Sequence, residues 1–164
     1  MPKRVYTQTF AVVGAIIERD GKILLVKEGL TETGEDGQWN HPAGWLEVGQ
    51  PPIEAIKAEV LEESGYQFEP RAILGIYSLV KKDVALTVGT PVHPLKLIFT
   101  GYLSVDPPQP LKNETTDIGW FSVEEVESMD NKTLRDGDIK LMVADYFAGK
   151  RYPLDLVHHN IVEN

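Results

Sequence analysis

The segment bracketed by Pro51-Pro52 and Gly65 restricts the fold of this chain more narrowly than any other. Proline suits the first turn of a helix, where its missing N–H has no partner to lose, and glycine suits the left-handed residue that closes one. Between them Ile53, Ile56 and Val60 recur at helical spacing, so one stripe of a helix must lie against a core. Folding alone does not explain the other face. Glu59, Glu62 and Glu63 stand at i, i+3 and i+4, which stacks their carboxylates within about one turn of each other. Like charges at those offsets destabilise a helix by roughly 0.2–0.5 kcal/mol per pair, and Lys57, two residues from Glu59, points elsewhere. A divalent cation would supply the missing charge. Mg²⁺ and Mn²⁺ prefer carboxylate oxygen and commonly act together with substrate phosphates.

Around this helix the chain alternates irregularly between strand and helix signals. Phe10–Ile17 reads as a buried strand, and Arg19-Asp-Gly-Lys22 as a tight turn into a second strand, Ile23–Val26, the two forming a hairpin. Glu28–Gln38 has glycines and acids but no apolar period, which predicts an exposed loop of a length that often serves function. Ala72–Val80 and Leu95–Leu103 read as long strands joined through Thr90-Pro-Val-His-Pro94, and Asp106-Pro-Pro-Gln-Pro110 ends the second of them. Ile118–Phe121 is a short strand, and Ser122 with Glu125 has capping-box spacing for a helix to about Met129. A last helix is expected from Ile139 to about Ala148, with Asp138 as N-cap and Gly149 as stop. With no repeat and no second boundary, residues 1–164 read as one domain, an α/β or α+β sandwich instead of a doubly wound sheet.

Composition narrows the function classes. A net charge of -9 argues against a nucleic-acid polymer as partner, since phosphate backbones are held mainly by Lys and Arg. A small phosphorylated substrate stays compatible if cations bridge it to the protein. Without cysteine, disulfides, zinc-thiolate sites and cysteine nucleophiles are excluded. The apolar stretch Phe10–Ile17 is too short to span a bilayer and lacks a small-residue cleavage site, so no membrane role and a cytoplasmic location are expected.

The run Gly44-Trp-Leu-Glu-Val-Gly-Gln-Pro-Pro-Ile-Glu-Ala-Ile-Lys-Ala-Glu-Val-Leu-Glu-Glu-Ser-Gly-Tyr66 resembles the Nudix box. Gly44, Glu59, Val60, Glu62, Glu63 and Gly65 match that pattern in register, while Gln50 replaces its first Glu, Ala58 its Arg and Tyr66 an aliphatic residue. The first hairpin, the Trp39–Gly44 approach, the Trp120-Phe121 strand with its acidic helix and the tail Lys150-Arg-Tyr-Pro-Leu154 extend the resemblance to a phosphatase branch of the family. The resemblance implies a Nudix-type α/β/α sandwich with a mixed sheet, its box forming loop, helix and loop. It implies that Glu59, Glu62 and Glu63, with the Ala43 carbonyl, hold Mg²⁺ or Mn²⁺, and that water attacks phosphorus of a phosphoric anhydride. It also implies a distal base or extra ligand, here Glu114 with Asp117 as competitor. The substrate so implied is a nucleoside di- or triphosphate or a related small organic diphosphate. The alternative is a catalytically impaired Nudix-fold module that binds a nucleotide or nucleotide-sugar for sensing. Loss of both Glu at Gln50 and Arg at Ala58 removes two opposed charges together, which costs less than stranding one. Weakened or retuned metal binding with retained hydrolysis is the expectation.

Anhydride hydrolysis needs charge neutralised on the phosphoryl oxygens, an aligned water and a proton acceptor. A metal serves the first as Lewis acid and lowers the pKa of its bound water. For substrate contacts the candidates are Lys27, His41, Trp45, Tyr77 and Lys96. Each also has a plain structural reading: lysines in strands as solvent-facing, His beside Pro as a loop residue, Tyr77 as core. Trp39 is read as core or stacking surface, Trp45 as the better pocket residue, and His93 as a loop residue open to substrate. A monomer or homodimer is expected.

Overall fold

The computed structural model describes residues 11–29, 37–80, 93–104, 108–109 and 115–163. Asp20 and Gly21 take positive φ of 53° and 77°, the geometry of a tight hairpin turn, and link β2 (Glu18–Arg19) to β3 (Lys22–Glu28). The longer apolar strand, β1 (Ala11–Ala15), is not the first arm of that hairpin. It lies in another sheet, antiparallel to β5 (Ala43–Trp45) and parallel to β7 (Leu95–Leu103). Val13 to Ala15 are buried in sequence, the pattern of an interior strand covered on both faces, and β1 lies between β5 and β7 accordingly.

The mixed sheet has the order β5-β1-β7-β6, with β6 (Phe68–Ser78) antiparallel on β7. A second, antiparallel sheet is built on β3, which pairs with β2, with β4 (Trp39–Asn40) and along its length with β8 (Thr115–Ser122). The Leu24 N–H donates to the Ile17 carbonyl at 2.9 Å, continuing the β2–β3 pairing by one residue toward β1. Strand β6 begins at Phe68, upstream of the expected Ala72, because its register shifts between Pro70 and Ala72 and the shift absorbs the proline. Strand β8 likewise begins at Thr115, ahead of Ile118.

Alternation along the strands explains the layers. Ala15, Ile17, Leu24, Ile73 and Phe99 face α1 (Pro52–Ser64), whose Ala55, Ile56 and Val60 are fully buried with Ile53 packed beside them. Their neighbours Ile16, Ile23, Leu25, Leu74 and Ile98 face the other way, onto α2 (Val123–Ser128) and α3 (Asp138–Phe147) through Val126, Ile139, Met142 and Val143. Each such side chain contributes roughly 1.5–3 kcal/mol of burial, so both helical layers are held by the period-two pattern of the same strands. The result is the α/β/α arrangement with a mixed sheet that the resemblance implies, accompanied by a second sheet.

Helix α1 closes as expected: Gly65 is left-handed at φ 75°, and its N–H donates to the Leu61 carbonyl. Helix α2 opens with a full capping box between Ser122 and Glu125. Helix α3 differs from expectation. Gly137 is its N-cap, and Asp138 lies inside the first turn because its carboxylate is taken by the buried Lys96 ammonium. Among the described residues no helix is long and apolar enough to cross a membrane. Residues 30–36 of the Glu28–Gln38 loop, most of the Thr90–Pro94 connection and Glu114 lie outside the described residues.

Candidate active site

Strand β5 lies beside β1 and brings the backbone of Ala43 and Gly44 against α1. The Ala43 N–H donates to Glu63 Oε2 at 2.9 Å. One residue on, a methyl group at Gly44 would overlap the Glu59 carboxyl, so the missing side chain is what lets that carboxyl lie on the strand. The i, i+4 spacing thus seats two carboxylates on two successive peptide units. Glu62 projects outward and is exposed.

Burial pushes the Glu63 carboxyl well above the usual carboxylate range; the Glu59 and Glu28 charges push the same way, while the Ala43 N–H and Arg135 oppose them. Two carboxylates seated on adjacent peptide units, the Glu63 one buried at a raised pKa, present the oxygen donors that a hard divalent cation prefers. Among the described residues no group of three acidic or histidine side chains converges as a ready ligand shell. Glu59 and Glu63 could supply two such oxygens, with the Glu62 carboxylate and the Ala43 carbonyl as further donors from the same helix and strand.

Next to this pair runs a buried polar row that sequence reading did not anticipate. Glu28, at the end of β3, forms an ion pair with Arg135 and accepts from Asn40 Nδ2 at 2.7 Å. Asn40 Oδ1 in turn lies 2.8 Å from His41 Nδ1. His41 is 1% exposed, and burial, with help from Lys96 and Arg135 against Asp136, lowers its pKa from 6.5 to about 3. It is a neutral interior imidazole. Lys96, 3% exposed, contacts Asp136 at 2.7 Å and Asp138 at 3.0 Å. Its ammonium is thus engaged by two carboxylates in the interior, contrary to the reading of a solvent-facing lysine; a buried charge must be paired or hydrogen-bonded.

The other expected residues are placed as follows. Lys27 is half-buried with Nζ 5.7 Å from the centroid of the Trp39 ring. Trp39 itself packs edge-on to Phe121 at 4.8 Å in the core. Trp45 is 47% exposed. Tyr77 is buried and its hydroxyl donates to Asp145 Oδ2 at 2.9 Å, which with burial pushes its pKa up. His93 meets Ser78 Oγ at 2.7 Å. Asp117 is exposed and accepts from the Ile118 N–H at 2.9 Å. Glu114, its rival as distal acid, lies outside the described residues. Of the residues sequence reading passed over, Glu28 carried one usable signal, an acid closing an otherwise apolar strand. Arg135, Asp136 and Asn40 carried none that is local.

A mixed-sheet sandwich with a glutamate helix packed on a glycine-bearing strand defines a class, and comparison with known proteins gives its name. Residues 7–143 match the NUDIX domain, and the chain belongs to the Nudix family. It is a hydrolase acting on phosphoric anhydride bonds, and Nudix hydrolases generally use divalent metal ions. The chain is 30% identical over 146 residues to Phosphatase NudJ of Escherichia coli strain K12, covering 88% of each. Among solved structures, a NUDIX hydrolase from Nitrosomonas europaea superposes with a TM-score of 0.76 at 34% identity, over 92% of this chain and 96% of that one. The NUDIX domain of Shewanella oneidensis NrtR, solved with ADP ribose, has a TM-score of 0.66 at 16% identity over 90% and 93%, a likeness of fold alone.

Proposed function

We propose that this chain is a Mg²⁺- or Mn²⁺-dependent hydrolase of a nucleoside di- or triphosphate or a related small organic diphosphate, acting by attack of water at phosphorus. The seating of Glu59 on Gly44 and of Glu63 on Ala43 carries this reading, because it holds two carboxylates in fixed positions with little left to reorganise. Glu59, Glu62, Glu63 and the Ala43 carbonyl would hold the metal. When bound, the ion supplies Lewis acidity toward the phosphoryl oxygens and a more acidic water. It also offsets the charge with which a chain of net charge -9 would otherwise repel an anionic substrate.

The chain's own residues do the rest. Water oxygen bonds to phosphorus, the bridging P–O bond breaks, and the proton leaves to a carboxylate, for which Glu114 is the candidate with Glu63 beside the reacting centre. Trp45, with nearly half its surface exposed, offers a face on which a base can stack. Lys27, whose ammonium lies over the Trp39 ring, can reach a phosphate. His41, Tyr77 and Lys96 are held by Asn40, Asp145 and Asp136 in the interior and serve the site through the fold.

The rival reading, a nucleotide or nucleotide-sugar sensor without turnover, is favoured by Gln50 and Ala58. Gln50 does have another task, since its side-chain carbonyl accepts from the Glu47 N–H at 3.2 Å and closes the loop ahead of α1. A panel of nucleotides and small diphosphates with Mg²⁺ or Mn²⁺ separates the two. Phosphate or pyrophosphate release lost by about 10²-fold or more in Glu62→Gln or Glu63→Gln is the enzyme's signature. Tight nucleotide binding with no release from wild type would establish the sensor.

A further inference from the structure

We propose that Glu28 is a positioning residue of the hydrolytic site: gripped by Arg135, it locks Asn40 and His41 in one hydrogen-bonded orientation and thereby seats the Ala43-Gly44 backbone on which Glu63 and Glu59 rest. The proposal deepens the reading above and rests on it.

The argument starts from a carboxylate in the wrong place. Glu28 closes a strand whose preceding residues Ile23, Leu24, Leu25 and Val26 are fully buried, and it is itself 9% exposed. A carboxylate there must be met by donors. Both come from outside its own strand: the Arg135 guanidinium and the Asn40 side-chain amide at 2.7 Å. Arg135 is not a loosely hung side chain. Its N–H donates to the Trp39 carbonyl at 2.9 Å, and the Trp39 N–H donates to the Thr133 carbonyl at 2.8 Å, so residues 133–135 lie along β4 as an added edge.

Donor and acceptor rules then propagate along the row without further freedom. A carboxylate only accepts, so Asn40 must turn its NH₂ to Glu28 and its Oδ1 to His41. An oxygen lone pair facing a bare ring nitrogen at 2.8 Å would repel, so His41 carries its proton on Nδ1 and donates to Asn40. His41 Nε2 is consequently a bare acceptor; it is buried and has no hydrogen-bond partner among the described residues. Gly14 makes room for it, since a Cβ there would come within 2.6 Å of Nε2.

Immediately after His41 the backbone enters the site. The Ala15 N–H donates to the Pro42 carbonyl at 2.9 Å, and the next N–H, that of Ala43, holds Glu63. An ordered row of side chains fixing His41 therefore sets where the Ala43 N–H points. A purely stabilising cluster would need neither the single tautomer nor the proximity to Glu63. Outer-shell partners of this kind change metal affinity or activity by roughly 10–100-fold when lost.

The test uses the full chain and three readouts. Long-range ¹H–¹⁵N NMR of the His41 ring in wild type is expected to show the Nδ1–H tautomer; an Nε2–H ring overturns the row itself, and needs no variant to do so. Glu28→Gln frees the Asn40 amide to turn over, and is expected to shift the His41 ring toward Nε2–H. The same variant should weaken binding of Mn²⁺ alone, read by water-proton relaxation, by about 10–100-fold. Nucleoside triphosphate hydrolysis at saturating Mg²⁺ should fall mainly in kcat, with KM changed less than about threefold. Arg135→Lys, which keeps a cation on Glu28, should recover most of the loss that Arg135→Met causes. Glu28→Gln with wild-type kcat and wild-type Mn²⁺ affinity overturns the positioning role. Full activity in Glu63→Gln overturns it through the site reading beneath it, and leaves the His41 tautomer untouched.

Discussion

Replacing Gly44 by alanine separates the placement of Glu59 from the stability of the fold. Gly44 is not among the glycines with positive φ, so alanine meets no backbone penalty there. What the new methyl meets is the Glu59 carboxyl, and the carboxyl must retreat by more than about 1 Å to restore ordinary contact. Those atoms end a flexible side chain, so the cost to folding should stay under about 1 kcal/mol. Catalysis has no such tolerance. A displacement of about 1 Å at a reacting centre costs on the order of 10²-fold, or about 2.7 kcal/mol of barrier. The assay pairs urea denaturation with kcat/KM under saturating Mg²⁺. A Gly44→Ala protein that folds as stably as wild type and turns over at the wild-type rate would refute the view that Glu59 works from its seat on this strand.

Lys96→Met removes the ammonium that Asp136 and Asp138 share in the interior, and should cost about 3–5 kcal/mol in urea denaturation. Adding Asp136→Asn and Asp138→Asn to it should restore part of that loss. His41 binds its proton near pH 6.5 when unfolded and only near 3 when folded, so in that window the unfolded chain holds more protons and stability falls as pH drops. His41→Gln should flatten that part of the curve of unfolding free energy against pH. Glu63, with its raised pKa, acts in the opposite sense, losing stability as pH rises above 4.5 in metal-free protein, and Glu63→Gln should remove that component. Ser122→Ala removes the α2 cap and should lower stability by about 1 kcal/mol while leaving turnover unchanged.

Local signals in the sequence were read correctly where the structure is itself local. Pro52, Gly65, the Ile56 and Val60 stripe and the carboxylate face all follow from the geometry of one helix, and the helix forms with those bounds. The Ser122 and Glu125 cap is equally local. Expectations went astray where a partner lies far along the chain. Strand β1 reads from sequence as an arm of the first hairpin, whereas the strands it pairs with, β5 and β7, lie farther along the chain. Asp138 has the composition of an N-cap, yet the buried ammonium of Lys96 outcompetes a backbone N–H for its carboxylate. For the same reason Lys96 reads from sequence as a phosphate contact or a solvent-facing lysine, and only the fold brings the acids of residues 136 and 138 beside it. At the site, the glutamates and Gly44 are legible because they share one motif. Glu28 and Arg135 are not, since neither residue carries any mark of the other until β3, β4 and the 133–135 segment come together.

That short stretch after Thr133 has a consequence for how the protein can change. Leu134 is a core residue, Arg135 reaches Glu28, and Asp136 and Asp138 reach Lys96, so successive side chains point to three different tasks. Connecting segments ordinarily absorb insertions and exchange their amide hydrogens readily. Here a single added residue would throw the whole sequence of contacts out of phase, and the amides of Leu134 and Arg135, held on the Asp130 and Trp39 carbonyls, should resist deuterium as the flanking sheet does. An irregular stretch of backbone thus behaves mechanically as part of the frame, and length variation among working descendants of this chain must be sought elsewhere.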